Sequence, residues 1–266
     1  MKALLAFKPL PDFSMFSKQD WVPDERLRIN TEYVRTSMSC FDETAAELLL
    51  RMQATGQDVE LAALAVDSGM AESHLKQLLA LGFHQAFRAQ NTFAQQDFNP
   101  ITNAEMLANF IRVHLAPLVV IGMQFGDSDD GQTAAILAEI LGWPYISHVC
   151  NFVVQPQLDT LRVSRLIGGQ IQHLDIRLPA IFAVGNSAQA AALRVPTLKQ
   201  KLAAGKKSIE EITVEPCEDL IGKNAPVLIE LSQVNKQRET FWIEGDTPQQ
   251  KAQVLYQSHL RGRIKP

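Results

Sequence analysis

The chain has 266 residues, of which 46% are hydrophobic and 20% charged, and a formal net charge of −4; it has the apolar content to bury a core and cannot be a disordered chain. No Lys/Arg run exceeds two residues, which excludes the dense basic face of a duplex-nucleic-acid binder, and no apolar stretch approaches ~20 residues, so membrane insertion is not expected. Three widely spaced cysteines (Cys40, Cys150, Cys217) form no CxxC pair, so neither a disulfide framework nor a zinc ribbon is expected and a cytoplasmic location is.

In chain order, Lys2–Phe7 reads as a buried strand closed by Pro9 and Pro11, and as a first strand rather than a signal peptide. Residues 9–35 are polar, with three prolines, and read as a long surface loop. A helix is expected over Asp42–Met52, a strand over Val59–Val66, a helix over Ala71–Leu81 stopped by Gly82, and a short strand over Ala86–Arg88. Then follow a helix over Asn103–His114, a strand over Pro117–Gly122 and a helix over Gln132–Leu141 stopped by Gly142 and Pro144. Four strands are expected at Ile146–Val154, Thr160–Ile167, Ile171–Leu178 and Ile181–Val184, with Gly168-Gly169 as a hairpin turn. A Lys-rich helix over Pro196–Ala204 precedes an extended arm that carries a last helix near Gln249–Leu260.

This alternation predicts an α/β fold: a mostly parallel sheet flanked by helices, Rossmann-like, with an extended C-terminal arm. The expected division is an α/β nucleotide-binding domain at 1–190 and a docking loop plus arm at 191–266. The charge is unevenly placed. Residues 1–193 carry 13 basic and 20 acidic side chains, whereas residues 194–266 carry 12 and 9.

Ligands of open parallel sheets bind beyond the carboxyl ends of the strands. The segment from Gly122 to Thr133 follows a strand and opens a helix, with Gly122, Gly126 and Gly131 and three aspartates, Asp127, Asp129 and Asp130. Backbone N–H groups at such a helix start can hold a phosphate, and the Thr133 hydroxyl can add a hydrogen bond. An ordinary βα loop with a helix cap reads equally from the pattern, and the aspartates could alternatively form a metal cluster, although EF-hand spacing is absent. Neither a Walker loop nor GxGxxG is present. Ser39-Cys40-Phe41-Asp42-Glu43 has the composition of a helix N-terminus, and Phe41 could face a flat aromatic ligand. The six histidines show no metal spacing, no GxSxG motif occurs, and Cys40 has no neighbouring base in sequence; no catalytic residues and no metal site are expected.

Taken together these segments resemble the beta subunit of the electron transfer flavoproteins, including the related nitrogen-fixation and carnitine-pathway subunits. The matching residues are the opening K-x-L-L-A-F-K-x-x-P-D, Ser39-Cys40-Phe41-Asp42-Glu43, Val66-Asp67-Ser68-Gly69, and Ala80-Leu81-Gly82. The most specific match runs from Gly122-x-Gln124 through Asp127-x-Asp129-x-x-Gln132-Thr133 to Gly142-Trp143-Pro144; Leu178-Pro179-Ala180-Ile181 and Val195-Pro196-Thr197-Leu198-Lys199 follow. The chain departs from the family at Asn186–Arg194, which replaces a D-L-R-L-N-E-P-R segment, and at Gly131 and Ala134 in the nucleotide loop.

The resemblance implies an electron carrier rather than an enzyme, paired as a heterodimer with an alpha subunit that holds most of the redox FAD. It implies a buried AMP in this chain, or a second FAD in its place as in electron-bifurcating relatives. Ala6, Ser39, Cys40, Phe41, Asp42 and Ser68 would line the AMP site with Gly122, Gln124, Asp127, Asp129, Gly131, Gln132 and Thr133. Phe13 and Phe41 would approach the FAD. The arm would wrap the alpha subunit, and a flavin dehydrogenase would dock near Val195. The competing expectation is a stand-alone ATP- or AMP-binding regulatory domain resembling the universal stress proteins, against which the long arm argues. A third, a ligase-type enzyme of the adenine-nucleotide hydrolase fold, lacks its S-G-G-x-D-S pyrophosphate loop.

Overall fold

The fold grows from Lys2–Phe7 (β1), whose last five residues are all buried because the strand sits inside a parallel sheet covered on both faces. A computed structural model describes residues 1–25, 27–56, 58–67, 70–90, 100–124, 131–155, 160–185, 192–213, 229–232 and 240–264. After β1, the predicted loop holds a two-residue strand, Leu10–Pro11 (β2), paired antiparallel with Thr36–Ser37 (β3), and a single 3₁₀ turn at Phe13–Met15. Four aromatic rings pack inside that loop: Phe13 stacks on Trp21 at 5.3 Å and meets Phe16 edge-on, and Phe16 stacks on Tyr33.

Cys40–Ala54 (α1) starts two residues before the expected position because Ser39 caps it, its Oγ accepting from the Asp42 N–H. Glu60–Asp67 (β4), Glu72–Leu81 (α2), Gln85–Gln90 (β5), Pro100–His114 (α3), Leu118–Gly122 (β6) and Thr133–Leu141 (α4) follow the predicted alternation. α3 begins at Pro100, a residue suited to the first helical turn since it has no N–H to leave unpaired. Tyr145–Gln155 (β7), Thr160–Ile167 (β8) and Gln170–Ile176 (β9) form an antiparallel extension. Its β8–β9 turn places Gly168 and Gly169 at φ +58° and +77°, as a two-residue hairpin requires. Ala180–Val184 (β10) returns to the parallel part, between β6 and β7.

Two elements lie within residues 192–213. Leu198–Gly205 (α5) carries a capping box between Thr197 and Gln200. Glu210–Thr213 (β11) adds an edge strand parallel to β5, tied by the Arg88–Glu211 ion pair. β11 is not foreseen from the sequence, since its residues are polar and mostly exposed; pairing rather than an apolar pattern makes it a strand. The nine-strand order is β11-β5-β4-β1-β6-β10-β7-β8-β9. The structure is thus α/β, a large mostly parallel sheet flanked by helices.

Two apolar layers cover the sheet. One holds α1 and α2 against Leu5, Phe7, Leu61, Val120 and Phe182; the other holds α3 and α4 against Leu4, Leu64, Val119, Ile121 and Ile181. Lys76 donates to the Gly205 carbonyl at 3.2 Å, and Lys207 to the Phe83 carbonyl at 3.3 Å, so α5 is laced to the end of α2.

By contacts the chain separates into Met1–Leu231 and Ser232–Pro266. The boundary expected at 190/191 lies outside the described residues, and residues 192–213 belong to the sheet-bearing unit. In the second unit Pro248–Leu255 (α6) is capped by Thr247 and continues as a wider turn through Leu260. It buries no residue of its own and exposes Phe241, Trp242 and Tyr256. Among the described residues no helix is long and apolar enough to cross a membrane.

Candidate nucleotide site

The site assembles where β1 and β6 end side by side. Ala6 is fully buried in β1 and pairs with Ile121, one residue before Gly122. Gly122 closes β6 under the start of α1, and its N–H donates to Asp42 Oδ1 at 3.2 Å. A side chain at Gly122 has no room: a Cβ there would lie 2.5 Å from Asp42 Oδ1, 3.0 Å from Phe41 Cβ and 3.1 Å from the Asp42 nitrogen. This glycine is required for close approach between a strand end and a helix start, which locks Ser39, Phe41, Asp42 and Gly122 into one cluster.

Asp42 is 1% exposed and meets no cation in that cluster. Burial pushes its carboxyl up to about 7, against the opposing pull of hydrogen bonds from the Ser39 hydroxyl and the Gly122 N–H. Ser39 Oγ donates to Asp42 Oδ2 at 2.8 Å. Cys40 beside it is exposed and free, and Phe41 is half-buried.

Across the loop, Gly131 adopts φ +61°, and a Cβ there would lie 3.1 Å from the Met123 carbonyl oxygen. Gln132 stands just before α4 and is exposed, and Gln124 is half-buried after β6. Thr133 opens α4 at 2% exposure, and among the described residues its Oγ1 has no hydrogen-bond partner. Buried hydroxyls are ordinarily paired, so a buried hydroxyl left open beside free helix N–H groups is what a bound anion or hydroxyl group would complete. The residues present therefore have a place for a phosphate or hydroxyl group of a ligand.

Ser68, Asp127 and Asp129 lie outside the described residues. Phe13 packs on Phe16 and Trp21 within its own loop rather than standing alone. Among the described residues no cluster of His, Cys, Asp and Glu could hold a metal ion. The sequence did not single out Thr102 and Glu105 of α3, which are 1% and 4% exposed and whose side-chain oxygens, like that of Thr133, lack partners among the described residues. An open hollow of about 510 Å³ lies at the opposite, amino edge of the sheet, lined by Ile111, Arg112, Ile140, Trp143 and Pro179 among others. That edge is where open parallel sheets do not place their ligands.

A second feature sits on the segment leading to α5. Glu47, 5% exposed on α1, receives Arg194 Nη2 at 2.7 Å and Nε at 3.0 Å. Burial pushes the Glu47 carboxyl up, but the Arg194 bonds outweigh it and hold it below its ordinary range. Beyond this clamp Val195, Leu198 and Leu202 are 80%, 73% and 66% exposed.

The chain is similar to known proteins along most of its length. The electron transfer flavoprotein domain family matches residues 26–216. The Escherichia coli (strain K12) protein YgcR, whose own naming as an electron transfer flavoprotein subunit is provisional, is 32% identical over the whole of both chains. The mitochondrial electron transfer flavoprotein subunit beta of Arabidopsis thaliana is 27% identical across 81% of this chain and 82% of its own. The electron transfer flavoprotein subunit beta of Bos taurus is 27% identical across 80% and 81%. With its sheet order and these likenesses, the chain belongs to the electron transfer flavoprotein beta-subunit family.

Proposed function

We propose that this chain is the beta half of a heterodimeric electron carrier, pairing with an alpha subunit that holds most of the FAD and passing electrons from a flavin dehydrogenase to an acceptor. The observation that carries the nucleotide part is the buried hydroxyl of Thr133 at the start of α4, unpartnered among the described residues. In this reading AMP occupies the end of β6. Its phosphate meets the α4 N–H groups and Thr133 Oγ1, and Ala6, Ser39 and Gly122 wall the site with Gln124, Gly131 and Gln132; Ser68, Asp127 and Asp129 are assigned to it by sequence alone.

FAD supplies the redox chemistry when bound. This chain's residues position and shield: Phe41, at the exposed start of α1, presents a flat apolar surface toward the flavin side, and Phe13 is assigned the same role. Asp42 keeps Gly122 and α1 at a fixed distance, and its pKa, raised to about 7, leaves a large share of it uncharged at neutral pH. No side chain need act as nucleophile or proton donor in such a role. The exposed apolar row Val195, Leu198 and Leu202 is the proposed landing site for the dehydrogenase. The arm, whose described part buries nothing by itself, is proposed to wrap the alpha subunit. The domain division proposed from the sequence, 1–190 and 191–266, is retained as a functional one: nucleotide site before it, partner contacts after it. A cytoplasmic location is proposed from the spacing of the three cysteines.

Co-expression with the alpha subunit tests this. The expected product is a yellow heterodimer whose flavin is reduced by a flavin dehydrogenase. A colourless single chain that carries ATP would instead establish the stand-alone regulatory reading.

A further inference from the structure

Stability alone does not require a charge at Glu47. It is 5% exposed on α1, and a carboxylate so placed loses hydration that its ion-pair partners only roughly offset; a well-packed apolar side chain of similar size would serve stability as well. What a saturated carboxylate adds is a single geometry. Oε1 of Glu47 accepts from Arg194 Nη2 at 2.7 Å and from Arg51 Nε at 3.2 Å. Oε2 accepts from Arg194 Nε at 3.0 Å and from the Arg194 backbone N–H at 3.4 Å. The backbone bond holds main chain and not only a side chain, one residue before Val195.

The segment is fixed at further points on either side. Leu193 is 9% exposed and belongs to the apolar layer that α1 covers. Pro196 is buried. Thr197 and Gln200 close the capping box of α5, and Ala204 near its end is 2% exposed in the same layer as Leu193. Between these anchors Val195, Leu198 and Leu202 are 80%, 73% and 66% exposed. An apolar row on an anchored backbone is pre-organised, since a partner that covers it has no loop to order first. The frame to which it is anchored is α1, the helix whose first turn holds Phe41 and Asp42.

We propose, resting on the docking reading above, that Glu47 is the positioning residue of the docking segment: through Arg194 it holds Val195, Leu198 and Leu202 in the conformation that the dehydrogenase meets. Without it the row has to be ordered at each encounter, so docking weakens. Once docked, the partner orders the row, and transfer within the complex is unchanged.

The test uses the heterodimer, with the flavin dehydrogenase that reduces the unaltered protein as donor, and reads KM for the heterodimer, kcat, and backbone hydrogen exchange over 193–198. Glu47→Gln is expected to raise KM about tenfold, to leave kcat within about twofold and to speed exchange about tenfold, with flavin and nucleotide contents unchanged. Arg194→Lys, which keeps the charge and loses the two-pronged fork, should do the same. Combining Glu47→Gln with Arg194→Ala should be no worse than either alone. Leu198→Lys tests the docking reading separately, through its own rise in KM. Unchanged exchange in Glu47→Gln, or an unchanged KM in either clamp variant while Leu198→Lys raises it, would overturn the assignment and leave the docking reading standing. A KM that Leu198→Lys does not alter would overturn both.

Discussion

Two regions of the sheet-bearing unit invert the usual rule of apolar inside and polar outside, and they do so in opposite senses. At the carboxyl edge, Asp42 and Thr133 are buried polar groups, and the Thr133 hydroxyl is unpartnered among the described residues. On the segment at 195–202, Val195, Leu198 and Leu202 are apolar and open to solvent. Buried polarity without partners calls for a small ligand bearing complementary hydrogen-bonding groups. Exposed apolar surface in a row calls for a macromolecule that will cover it. The electron-carrier role proposed above calls for both, a fixed nucleotide and a transient protein contact.

The sharpest way to break the first region is Gly122→Ala. The added Cβ meets the Asp42 carboxylate at a distance no real contact tolerates, so β6 and α1 must separate. We expect a loss of about 3 kcal/mol in stability together with the bound nucleotide, read by thermal denaturation and nucleotide extraction.

Asp42→Asn sharpens the same region through pH. The carboxyl is raised to about 7 in the fold from an ordinary value of 3.8, so the folded state holds the proton more firmly than the unfolded one. That contribution is fully present below about pH 4 and is lost as pH rises through 7. Against the unaltered protein, the Asn variant should gain about 4 kcal/mol in relative stability between pH 4 and pH 8 in urea titrations. A flat difference across that range would show that Asp42 is ionised in the fold.

Arg194→Ala addresses the second region. It leaves the buried Glu47 carboxylate without its two-pronged partner and frees the backbone that carries Val195. Since the arginine is itself 46% exposed, solvent screens the pair, and the expected loss is about 1–2 kcal/mol. Nucleotide content should not change, whereas electron transfer from the dehydrogenase should slow. Leu198→Lys should slow that transfer with less than about 0.5 kcal/mol effect on stability, because the side chain it replaces is 73% exposed.

Thr133→Val gives a small stability change and the most diagnostic sign. Replacing an unpartnered buried hydroxyl by a methyl should stabilise the nucleotide-free protein by about 1 kcal/mol and weaken nucleotide retention roughly tenfold. Loss of stability without nucleotide would mean that the hydroxyl is satisfied within the protein.

Most of the sheet was legible because strands buried on both faces read as short apolar runs, as in Leu118–Gly122 and Ala180–Val184. β11 was not, since Glu210 and Glu211 make an exposed edge strand defined by its partner. The Ser39 to Asp42 and Gly122 parts of the site could be placed because they sit at strand and helix ends. The burial of Glu105 on α3 was not legible: in a helical pattern a charged residue reads as solvent-facing, and only the packing around α3 reveals that it is buried. The Glu47–Arg194 clamp joins residues 147 apart in sequence, a pairing that local pattern does not encode.

The account rests on a nucleotide held by this chain while the redox flavin is held mainly by its partner. Adenine nucleotide released from the purified heterodimer, counted against its flavin, tests that most directly. One AMP for each FAD is the predicted result. Two FAD with no AMP would contradict the assignment of AMP to the β6–α4 site, and ATP with no flavin would contradict the electron-carrier account itself.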